Sequence, residues 1–106
     1  MRVKIVLDGK EEEIEVKEPT GEDQLHYYKE LSKIKIDEKS KDLSDVVRLL
    51  ELRDEMIVRL CPKFESVEQV RKLPLVEKEK ILRVIEDRLT GRGFAEEVKN
   101  FERPQS

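Results

Sequence analysis

The chain has 106 residues, 44% of them charged and 37% apolar, with a formal net charge of −3. That length suits one domain around one core and leaves no room for a large enzyme. The longest apolar runs are three residues, Ile5-Val6-Leu7 and Met56-Ile57-Val58, where a membrane span needs about 20. The single Cys61 cannot form an intrachain disulfide and fits a reducing compartment.

Thirty of the 39 apolar residues are Val, Ile or Leu, so an aliphatic core under a charged coat is expected rather than a disordered chain. The opening MRVKIVLDG shows no basic segment followed by an apolar one, and the expected location is the cytoplasm. Abundant Lys and Glu with one Asn and three Gln fit a heat-adapted source. Residues 1–23 carry four basic and eight acidic side chains, residues 24–65 nine of each, and residues 66–106 nine basic and eight acidic. No segment is strongly basic, and interleaved signs argue against binding nucleic acid.

Val3, Ile5 and Leu7 recur at every second position, as do Ile14 and Val16, and Asp8-Gly9 lies between the two runs. Asp-Gly favours a two-residue type I′ turn, because both central residues need positive φ. The turn sets Leu7 opposite Lys10, Ile5 opposite Glu12 and Val3 opposite Ile14, which gathers Val3, Ile5, Leu7, Ile14 and Val16 on one face. A lone hairpin is marginal, so this face must rest on helices or on another subunit. Its edges remain open for pairing.

Thr20 is placed to cap a helix over residues 21–33, with Asp23 at its third position and Leu25, Tyr28 and Leu31 at helical spacing. The charged stretch from Asp37 to Asp42 reads as a solvated loop. A long helix is predicted from Leu43 to Leu60, with Ser40 or Asp42 as cap and Pro62 as stop. Val46, Leu49, Leu50, Ile57 and Leu60 make its stripe, while Leu43, Val47, Leu52, Met56 and Val58 widen it beyond one face, leaving apolar surface for a subunit contact.

Ser66-Val67-Glu68-Gln69 has the capping-box pattern for a short helix ending near Leu73. Pro74 suits the first turn of the next helix, predicted from Leu75 to Leu89 with Ile81, Leu82, Ile85 and Leu89 inward and Gly91 at its end. Phe94, Val98 and Phe101 then share one face of a terminal helix, and residues 103–106 should fray. The fold class expected is α+β, mostly α: one domain over 1–106, with a β-hairpin at 1–18 and a helical body of three to five helices at 19–102.

Catalytic chemistry finds no foothold. One His and one Cys give no metal-ligand spacing. His26 shares a helix with Leu25 and Tyr28 and reads as a surface or boundary residue. Cys61, at a helix C-terminus, lies at the wrong end for thiolate stabilisation and reads as a small buried residue. Gly91-Arg92-Gly93 lacks the third glycine and the preceding strand of a phosphate loop. A helix-turn-helix across residues 66–88 is opposed by Glu77, Glu79, Glu86 and Asp87, interleaved with Lys78, Lys80, Arg83 and Arg88. No catalytic, cofactor or metal residues are therefore assigned. The candidate partner-binding residues are Leu7, Ile14, Leu52, Met56, Phe94, Val98 and Phe101.

The order Asp8-Gly9-Lys10, then Ile14-Glu15-Val16, then Glu18-Pro19-Thr20-Gly21-Glu22-Asp23 opening a helix resembles the tail assembly chaperones of tailed bacteriophages and related proviruses. Leu73-Pro74-Leu75 and the helix from Val76 are also similar to a segment of that family's helical body. The resemblance implies a non-enzymatic protein that binds the long tape-measure protein, keeps it soluble and helps recruit tail-tube subunits. It also implies self-association, and in many members a frameshifted longer form. The competing expectation from the residues alone is a small cytosolic regulatory or adaptor domain, such as a transcriptional regulator or a toxin-neutralising partner.

Overall fold

The computed structural model describes residues 1–34 and 43–91. Strands β1 (Arg2–Leu7) and β2 (Lys10–Glu15) pair antiparallel. Helices α1 (Gly21–Ser32), α2 (Leu43–Leu60), α3 (Val67–Arg71) and α4 (Leu75–Thr90) follow. The architecture is α+β and mostly α, as the sequence pattern predicts. The expected charged loop at residues 37–42, its capping residues Ser40 and Asp42, the terminal helix and the frayed tail lie outside the described residues.

The turn has φ of 51° at Asp8 and 78° at Gly9, the two positive angles that type I′ demands. A Cβ on Gly9 would meet nothing within 4 Å, so glycine is needed there for its backbone alone. The register is the expected one, with Leu7 opposite Lys10, Ile5 opposite Glu12 and Val3 opposite Ile14. The ladder runs one pair further: the Val16 amide donates to the Met1 carbonyl at 2.7 Å, and the Met1 ammonium donates to the Val16 carbonyl at 3.0 Å.

Val3, Ile5, Ile14 and Val16 are buried and Leu7 sits half-buried at the rim. On the outer face Arg2 and Lys4 stand opposite Glu15 and Glu13, pairs of opposite sign that suit a solvated surface. The edges are not left wholly open. The Val6 amide donates to Glu77 Oε2 at 2.8 Å, and the Lys17 amide donates to the Leu60 carbonyl at 2.8 Å. These two bonds fix the hairpin to the start of α4 and the end of α2.

At the start of α1 the Thr20 amide donates to Asp23 Oδ2 at 2.8 Å and the Asp23 amide donates to Thr20 Oγ1 at 3.3 Å. Each side chain satisfies an amide that the helix leaves without a partner. Arg59 Nε donates to Asp23 Oδ1 at 2.5 Å. The bond from the Thr20 amide, reinforced by Arg59, holds the Asp23 carboxyl below its usual value.

Contacts along the helices set their directions. Asp23 meets Arg59 and His26 meets Glu55, at 2.8 Å, so α1 runs antiparallel to α2. Gln24 Nε2 donates to the Leu89 carbonyl at 2.8 Å and the Tyr27 hydroxyl donates to Glu86 Oε2 at 3.3 Å, so α1 also runs antiparallel to α4. Hence α2 and α4 point the same way, with their N-termini at one end of the bundle.

Two local expectations are corrected. Ser66 caps α3 by position but makes no side-chain cap bond, and the Gln69 side chain, which would complete a capping box at the Ser66 amide, accepts from the Glu65 amide at 2.8 Å. Pro74 stands at the N-cap of α4 rather than inside its first turn. The end of α4 is as expected in kind: Gly91 has φ 65° and its amide donates to the Asp87 carbonyl at 3.0 Å.

Ile14→Asp would put a carboxylate into the core and should lower stability by about 4 kcal/mol, whereas Leu7→Asp at the rim should cost about 1 kcal/mol. Urea titrations followed by circular dichroism distinguish the two; equal losses would contradict the burial difference. The Asp23 carboxylate is favoured in the folded state, so its contribution is full above the usual carboxylate range and fades as pH falls through the depressed folded value. The stability gap between wild type and Asp23→Asn should therefore narrow in melts taken below about pH 4.

Candidate interaction surface

The structure separates the residues that the sequence grouped as partner-binding. Ile14, Leu52 and Met56 are 0%, 4% and 1% exposed and belong to the chain's own core, which removes them from any free surface. Leu7 remains accessible in part, and Phe94, Val98 and Phe101 lie outside the described residues.

The correction on α2 has a geometric reason. At about 100° per residue, Leu52, Met56 and Leu60 point roughly a third of a turn away from Leu43, Val46, Val47 and Leu50. On the Leu52 side α1 lies along Arg48, Glu51, Leu52 and Glu55, while α3 and α4 pack against α2 only from Arg53 and Asp54 onward. The second group is left 75%, 44%, 50% and 45% exposed. These four residues were in the sequence pattern, but their place along the helix makes them surface: Asp54 and Ile57, one to two turns further on and on the same face, are buried.

Adjacent charges on α2 mark where burial begins. Arg53 donates to Glu79 with both terminal nitrogens, at 3.2 and 3.0 Å, and to Glu86 at 2.9 Å. Burial opposes the charge on Arg53, yet its bonds to Glu79 and Glu86 prevail and raise its pKa further. Burial, together with Glu86, pushes the Tyr27 phenol up to about 12. Asp54, only 4% exposed, accepts from Arg71 Nε at 3.2 Å and pairs with Lys78.

Toward their N-termini from these ion pairs, both parallel helices turn apolar and exposed. On α4 the exposed residues are Leu75 at 69% and Val76 at 68%, beside a shallow depression lined by Glu79, Lys80 and Arg83. Together with the α2 residues they give one end of the bundle an accumulation of large aliphatic side chains. Scattered surface apolar residues need no explanation, whereas accumulated ones mark contact surfaces.

A second feature lies beside the hairpin turn. Leu7, Phe64, Leu73 and Pro74 floor a cleft of about 370 Å³, with Asp8, Lys63, Gln69 and Lys72 around it. Lys63 pairs with Glu12, and the Gln69 oxygen is held by the Glu65 amide. The polar rim is thus partly committed to internal bonds.

Most of the remaining residues weighed from the sequence are buried or paired. His26 meets Glu55, and Cys61 is buried, its thiol pushed up to about 12 by burial. On α4, Lys78 is tied to Asp54, Lys80 to Glu77 and Arg88 to Glu18. Among the described residues no group of three or more His, Cys, Asp or Glu is placed to hold a metal ion, and no helix is long and apolar enough to cross a membrane.

No protein-family model, curated protein or solved structure matches the chain.

Asp54→Ala would leave Lys78 and Arg71 facing a site without its counter-charge and should cost about 3 kcal/mol. Asp54→Ala combined with Lys78→Met should recover part of that loss in chemical denaturation. A double variant as unstable as the single one would contradict the pairing.

Proposed function

We propose that the protein acts by binding another protein, as a factor of the tail-assembly-chaperone type that the N-terminal sequence resembles. The observation that carries this reading is the accumulation of exposed aliphatic side chains at one end of α2 and α4, on a chain that is otherwise 44% charged. An amphipathic helix of a client can lay its apolar side chains against such an end, while the charged coat keeps the complex dispersed. A long tape-measure protein, rich in helical apolar stripes, is the client class that the resemblance implies, with tail-tube subunits as the second partner. No group titrating near neutral pH is required for this activity, since association through aliphatic contact leaves protonation unchanged.

The reading as a regulatory or adaptor domain would use the same end of the bundle, and the two differ in the client. Co-expression with a tape-measure protein should raise its soluble yield and give a complex that co-purifies. Val76→Glu should reduce recovery of the complex about tenfold or more, with the circular-dichroism spectrum unchanged, because the side chain is exposed in the free protein. A tape-measure protein that stays insoluble and uncaptured would overturn the proposal.

A further inference from the structure

We propose that the outer edge of β2 takes an added strand from a partner protein: an antiparallel extended segment with Lys or Arg at every second position, set opposite Glu11, Glu13 and Glu15. The ladder shows which backbone groups are open to it. Met1 and Val16 exchange both of their bonds, so in an antiparallel pair the alternate partners Val3 and Ile14, Ile5 and Glu12, and Leu7 and Lys10 also bond inward. The pairs between them turn their amides and carbonyls outward. On β2 those residues are Glu11, Glu13 and Glu15.

The two edges of the hairpin are not equivalent. Helix α4 lies against β1, and its Glu77 takes the outward amide of Val6. On β2 the next outward amide after Glu15 is that of Lys17, and it is taken by the Leu60 carbonyl. Between the turn and Lys17 the sheet has no third strand, and among the described residues nothing bonds the outward groups of Glu11, Glu13 and Glu15. That leaves a stretch with three open donors and three open acceptors, the feature that strand addition uses.

Charge selects the occupant. The three glutamates are exposed on the outer face, and on β1 they stand opposite Val6, Lys4 and Arg2. Arg2 reaches Glu13 at 3.5 Å, while Glu11 and Glu15 make no ion pair among the described residues. A second copy paired antiparallel at this edge would set glutamate against glutamate, which is destabilising. A basic strand meets the opposite condition: each residue opposite a glutamate exchanges both backbone bonds with it and places its own side chain beside the carboxylate. The intervening residues would lie beside Glu12, held by Lys63, and Ile14, which is fully buried. Their side chains must therefore be short.

The inference uses none of the exposed aliphatic residues and does not rest on the client reading. Its probe is a capped synthetic peptide alternating Lys and Thr, titrated into the full chain and followed by amide NMR. The shifts should centre on residues 11–15, and exchange of the Glu11, Glu13 and Glu15 amides with solvent should slow. Glu11→Gln combined with Glu15→Gln should weaken binding roughly tenfold, since two exposed ion pairs are lost. Circular dichroism should stay unchanged, because both side chains are exposed.

Backbone pairing is separated from simple charge attraction by methylating the peptide. N-methyl groups on the lysines, whose amides face β2, should abolish binding, whereas N-methyl groups on the threonines, whose amides face away, should be tolerated. Absence of binding would overturn the proposal. So would binding that ignores both patterns of methylation, or shifts centred away from β2. These titrations contain no tape-measure protein, so their failure is distinct from failure of the client reading.

Discussion

Arg53 and Asp54 are neighbours on α2 and point to different partners. The guanidinium takes Glu79 and Glu86 of α4, while the carboxylate takes Lys78 of α4 and Arg71 of α3. Because the two charges are opposite, α4 has to present acid and base in matching places, as Lys78, Glu79 and Glu86 do. Buried ion pairs add little net stability compared with apolar packing, but an unmatched buried charge is costly. Their effect here is to penalise sliding of α2 along α4. The position of the core follows, with Met56, Ile57 and Leu60 on one side of the pairs and exposed Leu43, Val46, Val47 and Leu50 on the other.

The hairpin is tied into this arrangement from both sides. Glu77, one residue before Lys78, accepts the Val6 amide, and the Leu60 carbonyl accepts the Lys17 amide. The first of these bonds, with help from Lys80, keeps the Glu77 carboxyl below its usual value. Bonds to the edges of a two-stranded sheet matter because such a sheet is marginal by itself. They also reduce what the edges can offer to another strand, which leaves the stretch from Glu11 to Glu15 and the open end of α2 and α4 as the surfaces available to a partner.

Much of the fold was legible because it is encoded locally. Asp8-Gly9 fixes a turn, the turn fixes the register, and the register sorts Val3, Ile5, Ile14 and Val16 from the charged face without reference to the rest of the chain. Thr20 and Asp23 define the start of α1 in the same way, and Gly91 the end of α4. The cap expected from Ser66 was less secure, since Gln69 can bond either of two neighbouring amides and takes that of Glu65. The candidate surface was only half legible. Its residues belong to the long apolar set on α2, but periodicity gives a helix's apolar positions and not the direction from which neighbours approach.

The sequence by itself determined the elements, the strand register and the balance of charge, because each depends on residues a few positions apart. Only the tertiary structure decided that Leu52 and Met56 are core while Val46 and Leu50 are surface. The physical reason is that α2 carries its apolar face for more turns than α3 and α4 cover. Which part stays open is set by Arg53 and Asp54 meeting charges that lie between 17 and 33 positions away along the chain.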